Sequence, residues 1–492
     1  MAYSESASEF AMGPFIHGKH HNSQSSDIVD VVNPSTGQRE FAIAAGNDAD
    51  VDRAVSAARR AFEDGRWSEA APAFRRDALL RFADLIAEHA GALDRLDAGE
   101  MGKPVGERFG SAHAAVGLMQ FYAEAADKVT GDVYSSDKLT PVMQRRVPRG
   151  VIAAIVPWNF PAYNAILKIA PALAAGNCVV LKPSELSTRS ALQLAELALE
   201  AGIPAGVLNV VPGLGETVGR ALGLHRDVDM IAFTGSTEVG KWMLQYAGQS
   251  NMKTVLTECG GKSPHIVFDD GVDLDAAAEI IGGSLLINQG QLCSVGSRLL
   301  VEASIEKTLT DRIAARLTRI VMGDALDTRT TFGPLASATQ CDRVMSYVRG
   351  AQTEGAELLC GGRRALEHSG GSFVEPTLFR VTAPNARIAQ EEIFGPVLSI
   401  IPFRTEAEAI ALANGTRYGL VAYAWTSDLS RGMRLVKAIR STVFVNSAAP
   451  LGAGPGHACS AEPAGQSGVG IEGGLAGMEG YQRRQLVWFN HA

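Results

Sequence analysis

Six cysteines are scattered through this chain of 492 residues, and Cys293 lies in a context that could serve chemistry. It ends the run Asn288-Gln289-Gly290-Gln291-Leu292-Cys293, where a glycine between polar residues would let backbone N–H groups approach a substrate closely. A thiolate is strongly nucleophilic near neutral pH. Its addition to an aldehyde makes the tetrahedral carbon from which a hydride can leave, and the resulting thioester can be opened by water. By itself the thiol decides little, because an isolated free cysteine is more often packing than catalysis. Cys178, Cys259, Cys341, Cys360 and Cys459 lie far apart with no C-x-x-C pair, so all six read as reduced thiols rather than a disulfide scaffold or a zinc site.

The elements that would position such a sulfur are legible in the texture of the chain. From Asp48 the apolar residues Val51, Ala54, Val55, Ala58 and Phe62 recur at helical spacing, and residues 79–86 continue a second helix. After Gly150 short apolar runs alternate with helical patterns, which predicts β-α-β units and a parallel sheet. The runs are 151–156, 178–181, 207–211, 230–233 and 254–256. Helices are predicted over 161–175, 187–201, 216–224 and 236–247, each opened by Pro or a capping residue. A doubly wound sheet follows, and a second α/β series begins near His265 and continues through 298–301. Residues 129–149 and 482–490 alternate polar with apolar, as edge strands do, and invite pairing with a partner. The Gly/Ala/Pro-rich stretch 448–474 reads as a long functional loop.

Composition narrows the class. Apolar residues make up 46% of the chain and charged residues 20%, the balance of an ordinary soluble α/β protein of two or three domains. With a formal charge of −8 and no basic stripe, nucleic acid is not an expected partner. No apolar run approaches the roughly 20 residues that span a bilayer, so no membrane segment is expected. Glu5 and Glu9 stand where an export signal would be basic, and Gly and Pro interrupt the apolar patch 10–16, so a cytoplasmic location is expected. His17, His20 and His21 lack Cys or carboxylates at ligand spacing and read as a solvated loop, not a metal site.

Nine motifs in order give the thiol its company: EMGKP at Glu100, PWNFP at Pro157, KPSE at Lys182, FTGSTEVG at Phe233, ECGGK at Glu258, NQGQLC at Asn288, GDALD at Gly323, EEIFGPV at Glu391 and YGLVA at Tyr418. Over nearly its whole length the chain resembles the aldehyde dehydrogenase superfamily. That resemblance implies an aldehyde dehydrogenase-like α/β fold: a Rossmann-type NAD-binding domain over residues 1–128 and 150–258, an α/β catalytic domain over 259–470, and β oligomerisation segments at 129–149 and 471–492. It implies NAD-dependent oxidation of an aldehyde to the carboxylic acid through a cysteinyl thioester, in a homodimer or dimer of dimers.

Residue by residue, the resemblance makes Cys293 the nucleophile and Glu258 the base that activates the hydrolytic water. A partly desolvated carboxylate suits that task, although a Glu ending an apolar strand is usually a solvated turn residue. Asn159 would supply the oxyanion donor, where the plainer reading is a cap for the helix opened by Pro161. Lys168 and Glu472 would relay protons, with surface salt bridges as the alternative. On the cofactor side the resemblance implies Val156, Trp158, Lys182, Glu185, Gly215, Ser236, Glu392 and Phe394. Glu185 would accept ribose hydroxyls and repel a 2′-phosphate, which favours NAD over NADP. Gly213-Leu214-Gly215 and Thr234-Gly235-Ser236 lie before helices whose N-termini favour pyrophosphate, although neither gives the G-x-G-x-x-G fingerprint.

The pattern departs from the family in the tunnel region. Residues 460–465 replace a PFGGxK-like stretch, and Leu167 and Ile287 stand where relatives often carry aromatic side chains. Without an aromatic cradle for an ammonium at Leu167, an apolar aliphatic, terpenoid or aromatic aldehyde is expected ahead of an ω-amino aldehyde. Two rival readings remain: a non-catalytic binding protein that keeps this fold, and a thiol hydrolase that ignores NAD.

Overall fold

The computed structural model describes residues 12–490 except Gln24, Leu139 and residues 448–456; Glu5, Glu9 and the start of the 448–474 stretch therefore lie outside the described residues. Five short runs form the parallel centre of the first sheet: Val151–Ile155, Cys178–Lys182, Leu208–Val210, Met230–Thr234 and Thr254–Glu258. The first three are buried throughout, which is why they read as continuous apolar stretches rather than alternating ones. Numbered in chain order they lie 3-2-1-4-5, so the winding reverses between Val151–Ile155 and Met230–Thr234, where a crevice opens beyond the carboxyl ends.

Helices Pro161–Ala174, Arg189–Glu200 and Thr237–Gln249 connect these strands close to where the spacing predicts them. One expectation changes: the helix foreseen over 216–224 begins as a wider π-turn, Gly215–Gly219, and only then becomes the short helix Arg220–Leu224. Glycines at both ends tolerate the wider turn, which brings Val218 into the core.

The second sheet is parallel through Thr377–Arg380, Val397–Phe403, Arg298–Glu302, Pro264–Val267, Val421–Trp425 and Thr442–Val445, with Glu357–Cys360 added antiparallel at one edge. Successive residues feed opposite faces: Ile266, Leu300 and Ile401 enter one apolar cluster, Val267, Leu299 and Ile400 the other. A third sheet pairs Gln482–Trp488 with Val142–Pro148 over seven residues and adds Asp132–Tyr134. Asn177 joins it to the first sheet, accepting from the backbone N–H of Arg149 and Gly150 and donating to the Tyr481 carbonyl at 3.0 Å.

The described part of the long 448–474 stretch is less free than its composition suggests. Ala461 bridges to Glu472, Ala464–Gly465 pairs with Tyr418–Gly419, and Gly468–Val469 extends the first sheet antiparallel to Thr257 and Glu258. Pairings of one or two residues leave no periodicity to read. The last of them also returns part of the span 259–470 to the first sheet, so the chain crosses that boundary.

Candidate active site

The loop that carries the cysteine is held in a costly backbone shape. Asn288 and Gln289 sit at φ 44° and 55°, in the left-handed region that costs side-chain-bearing residues about 1–3 kcal/mol each. Three hydrogen bonds oppose that cost: Asn288 Nδ2 donates to the Asn159 carbonyl at 2.7 Å, Gln291 Nε2 to the Asn288 carbonyl at 3.1 Å, and the Ala336 N–H to Gln291 Oε1 at 2.9 Å. Gly290 follows at φ 72°, and a Cβ there would lie 2.4 Å from the Gly395 carbonyl oxygen. The glycine thus admits a neighbouring backbone, not a substrate as the sequence suggests.

Cys293 emerges half-buried beside Leu420 and Tyr423. Burial, then the carboxylates of Glu392 and Glu258, push its thiol up to about 12, while the Ser294 and Cys293 N–H groups work the other way. The free thiol is therefore neutral, and its proton needs an acceptor.

Glu258 ends the strand Thr254–Glu258 at the carboxyl edge of the sheet. Burial raises its carboxyl well above the usual range, the Glu472 charge raises it further, and Lys168 opposes both. Lys168 is no surface residue: it is fully buried on the helix Pro161–Ala174, and its ammonium pairs with the Glu472 carboxylate. A desolvated cation needs such a partner.

Asn159 is buried too, and its side chain does not cap the following helix. Phe160 occupies the cap position without a side-chain bond, and Asp97 serves the first turn by accepting from the Ala162 N–H at 3.2 Å. Instead Asn159 Nδ2 donates to the Gln291 carbonyl at 3.0 Å, and Asn164 Nδ2 donates to Asn159 Oδ1 at 3.1 Å. Among the described residues the other N–H of the amide has no hydrogen-bond partner, and Asn159 lines the same cavity as Cys293.

Asn159, Glu258, Cys293 and Glu472 line one cavity of about 600 Å³, with Lys168 just behind it. Val156, Trp158, Lys182, Glu185, Gly215, Ser236, Glu392 and Phe394 line the same cavity. The cofactor end fits a dinucleotide. Thr234 Oγ1 is buried there with no hydrogen-bond partner among the described residues, and a Cβ on Gly215 would meet nothing within 4 Å. Buried Lys182 lies 3.7 Å from Glu185, so a cation and a carboxylate meet on the cavity wall. Ser236 caps the helix Thr237–Gln249, its Oγ accepting from the Val239 N–H at 3.3 Å, so its side chain already serves the helix. Glu392 accepts from the Gly261 N–H at 3.0 Å, and burial pushes its carboxyl up to about 7. Phe394, at φ 60°, meets Trp158 edge-to-face at 5.3 Å.

Several cavity residues escape sequence reasoning. Gln340 donates to the Phe394 carbonyl at 2.7 Å and Arg343 to the Glu392 carbonyl at 3.1 Å. Their only sequence signal is spacing on one face of the helix Ala338–Thr353. Phe109, Leu118 and Tyr163 join Leu167 along the cavity wall. Ile287 does not line the cavity and packs into a core cluster of the second sheet, so its bearing on the tunnel is corrected. His20 pairs with Glu196 and His21 bonds the Ile16 carbonyl; among the described residues no group of ligating side chains could hold a metal ion. No helix among them is long and apolar enough to cross a membrane.

A model of the aldehyde dehydrogenase family matches residues 20–487. The NADP/NAD-dependent aldehyde dehydrogenase PuuC of Escherichia coli (strain K12) is 42% identical over 484 residues, covering 97% of this chain and 95% of the relative. An aminoacetaldehyde dehydrogenase of Pseudomonas aeruginosa is 43% identical over 412 residues, covering 84% of this chain and 82% of the relative. Among solved structures, an indole-3-acetaldehyde dehydrogenase complexed with NAD+ superimposes with a TM-score of 0.94 at 42% identity, over 98% of this chain and 97% of that one.

Proposed function

This chain belongs to the aldehyde dehydrogenase family and oxidises aldehydes with NAD, and on that premise we propose how its own residues divide the work. The Cys293 sulfur gives its proton to the Glu258 carboxylate, which passes it on by the Lys168–Glu472 pair, and attacks the aldehyde carbon; the new oxyanion is held by the free N–H of Asn159 and the Cys293 N–H. NAD, when bound, supplies the acceptor for the hydride that leaves this carbon. Lys182, Glu185, Glu392 and Phe394 would hold it, the two carboxylates accepting ribose hydroxyls. The acyl group then remains on sulfur as a thioester. Glu258, whose affinity for a proton is raised by burial, takes one from water as the oxygen attacks. Collapse of that adduct releases the acid and returns the thiolate, and the Lys168–Glu472 pair offers the Glu258 proton a way out.

One observation carries this reading: the sulfur, the raised carboxylate and the amide share a cavity with the residues suited to a dinucleotide. Cys293→Ala is expected to abolish NADH production while NAD still binds. Normal turnover in that variant refutes the nucleophile.

For the substrate we infer an apolar aliphatic, terpenoid or aromatic aldehyde, supported by Phe109, Leu118, Tyr163 and Leu167 along the tunnel. An ω-amino aldehyde is the second reading. It is favoured by the Glu462 carboxylate on the same cavity and by the likeness to an aminoacetaldehyde dehydrogenase. NADH formation over a panel of both classes separates them. Exposed Val133, Tyr134, Leu486 and Trp488 on the third sheet support pairing with a second copy of the chain. Six free thiols support a reducing, cytoplasmic setting.

A further inference from the structure

The cysteine loop is tied on both sides of its sulfur. Upstream, Asn159 donates to the Gln291 carbonyl; downstream, the Tyr423 hydroxyl donates to the Ser294 carbonyl at 2.8 Å. Tyr423 projects from the middle of the strand Val421–Trp425, and its ring is gripped between two others. His265 stacks on it at 4.7 Å and 24°, and Phe444 stacks at 5.8 Å and 24°.

The stack is itself fixed. Trp425 Nε1 donates to His265 Nδ1 at 3.2 Å. The remaining His265 nitrogen faces Ser284 Oγ at 3.3 Å, and Ser284 donates onward to the Ile281 carbonyl at 2.9 Å. That chain of donors requires the neutral Nε2–H tautomer, and complete burial, which pushes His265 down to about 3, keeps the ring neutral. Gly296, at the end of the same loop, leaves room for this ring: a Cβ there would lie 2.2 Å from His265. On the opposite side, a Cβ on Gly261 would lie 2.6 Å from the Cys293 carbonyl oxygen.

We propose that Tyr423, aligned by the His265–Phe444 stack, is a positioning residue for the nucleophile, holding the Ser294 carbonyl so that the Ser294 N–H stays turned toward the Cys293 sulfur. The inference rests on the reading of Cys293 as the nucleophile. The Ser294 N–H is one of two backbone donors that favour the thiolate against its buried, acidic surroundings. When the downstream tie is cut, the loop relaxes from Ser294 onward and that donor is lost in part. Tyr423 does not line the cavity, so its removal should act on the sulfur and leave binding alone.

Tyr423→Phe deletes only the hydroxyl, and the NAD-bound full-length enzyme is the one to test. The pH dependence of iodoacetamide alkylation at Cys293, followed by mass spectrometry of its peptide, should shift upward by about half a unit or more. The kcat should fall about tenfold, the cost of one buried hydrogen bond, with KM unchanged for aldehyde and NAD. An unshifted alkylation profile overturns the proposal, even if kcat falls, because a merely destabilised enzyme loses active molecules without changing its thiol. Phe444→Leu loosens the stack and keeps the hydroxyl. It should give a smaller shift in the same direction, and no shift there overturns the proposal if Tyr423→Phe does not fold. Cys293→Ala separates the two readings: turnover surviving in it defeats the nucleophile itself, whereas a dead Cys293→Ala beside an unaltered Tyr423→Phe defeats only the tyrosine.

Discussion

Replacing Asn159 with alanine removes two things that the structure allows to be told apart. The first is the free N–H of its amide, the side-chain donor that borders the cavity beside Cys293 while the other N–H is engaged by Gln291. Loss of one such oxyanion donor costs about 10²–10³ in kcat, roughly 3–4 kcal/mol, because it acts on charge that exists only after thiolate attack. The second is structural. The Gln291 carbonyl loses its donor and Asn164 its acceptor, at about 1–3 kcal/mol for each buried group left unpaired. The bond from Asn288 to the Asn159 main-chain carbonyl survives, so the left-handed turn before the cysteine keeps its main support. Steady-state NADH formation should therefore show kcat down by about two to three orders of magnitude with little change in either KM. Thermal unfolding reads the structural share separately. Asn164→Ala, which frees the amide to rotate and removes a second polar side chain from the cavity wall, should fall between parent and Asn159→Ala. A variant whose kcat is intact while KM for the aldehyde rises would refute the argument, since the amide would then be binding ground-state substrate.

Two further outcomes follow from the carboxylates. With Glu258→Gln the thioester should accumulate, visible as an acyl adduct on the intact protein by mass spectrometry during turnover; a bare protein mass throughout would remove Glu258 from hydrolysis. Glu392, pushed up to about 7 by burial, gains its proton as pH falls through that value and then loses its capacity to accept ribose hydroxyls as a carboxylate. The KM for NAD should accordingly rise on acidification below about pH 7 and be flat in Glu392→Gln; a parent enzyme with a flat profile would show that this carboxylate does not hold the ribose.

What could be read in advance was whatever local pattern dictates. Strands buried on both faces announce themselves as unbroken apolar runs, and Pro161 or Ser236 marks where a helix begins, so the carboxyl-edge positions of Asn159, Lys182 and Glu258 follow from counting along the chain. What could not be read depends on approach through space. Apart from the family resemblance, Lys168 looks like any helical lysine until Glu472, 304 residues away, is brought to it. The amide of Asn159 could cap a helix until Asp97 on another helix takes that duty. The tie from Tyr423 to Ser294 spans 129 residues and two elements of different type, and nothing in either segment points to the other. Gly290 was legible as a special residue but not as to why, since its neighbour Gly395 lies about a hundred positions on.

The departure at residues 460–465 bears on whether the chain still acts as an enzyme, and the way that segment is attached answers it. Its hold on the site is mostly through backbone groups: the Ala461 and Glu472 N–H groups exchange bonds with each other's carbonyls at 2.9 and 3.0 Å, and Ala464–Gly465 pairs with Tyr418–Gly419, while one side chain joins them, the Ser460 hydroxyl donating to the Gly473 carbonyl at 2.8 Å. Just beyond, Ser467 accepts from the Cys259 N–H at 2.8 Å through its carbonyl, and its hydroxyl donates to the Gly260 carbonyl at 2.8 Å, fixing the turn that follows Glu258. Main-chain pairing tolerates a change of side chains, so the altered residues can reshape the cavity wall through Ala461, Glu462 and Pro463 without moving Glu258 or Cys293. The two left-handed residues before Cys293 and the buried ammonium against Glu472 are held by hydrogen bonds and pairing that lie outside residues 460–465. The divergence is therefore expected to change which aldehyde is accepted before it changes the rate of the chemistry, and the aldehyde panel checks this by comparing kcat across substrates.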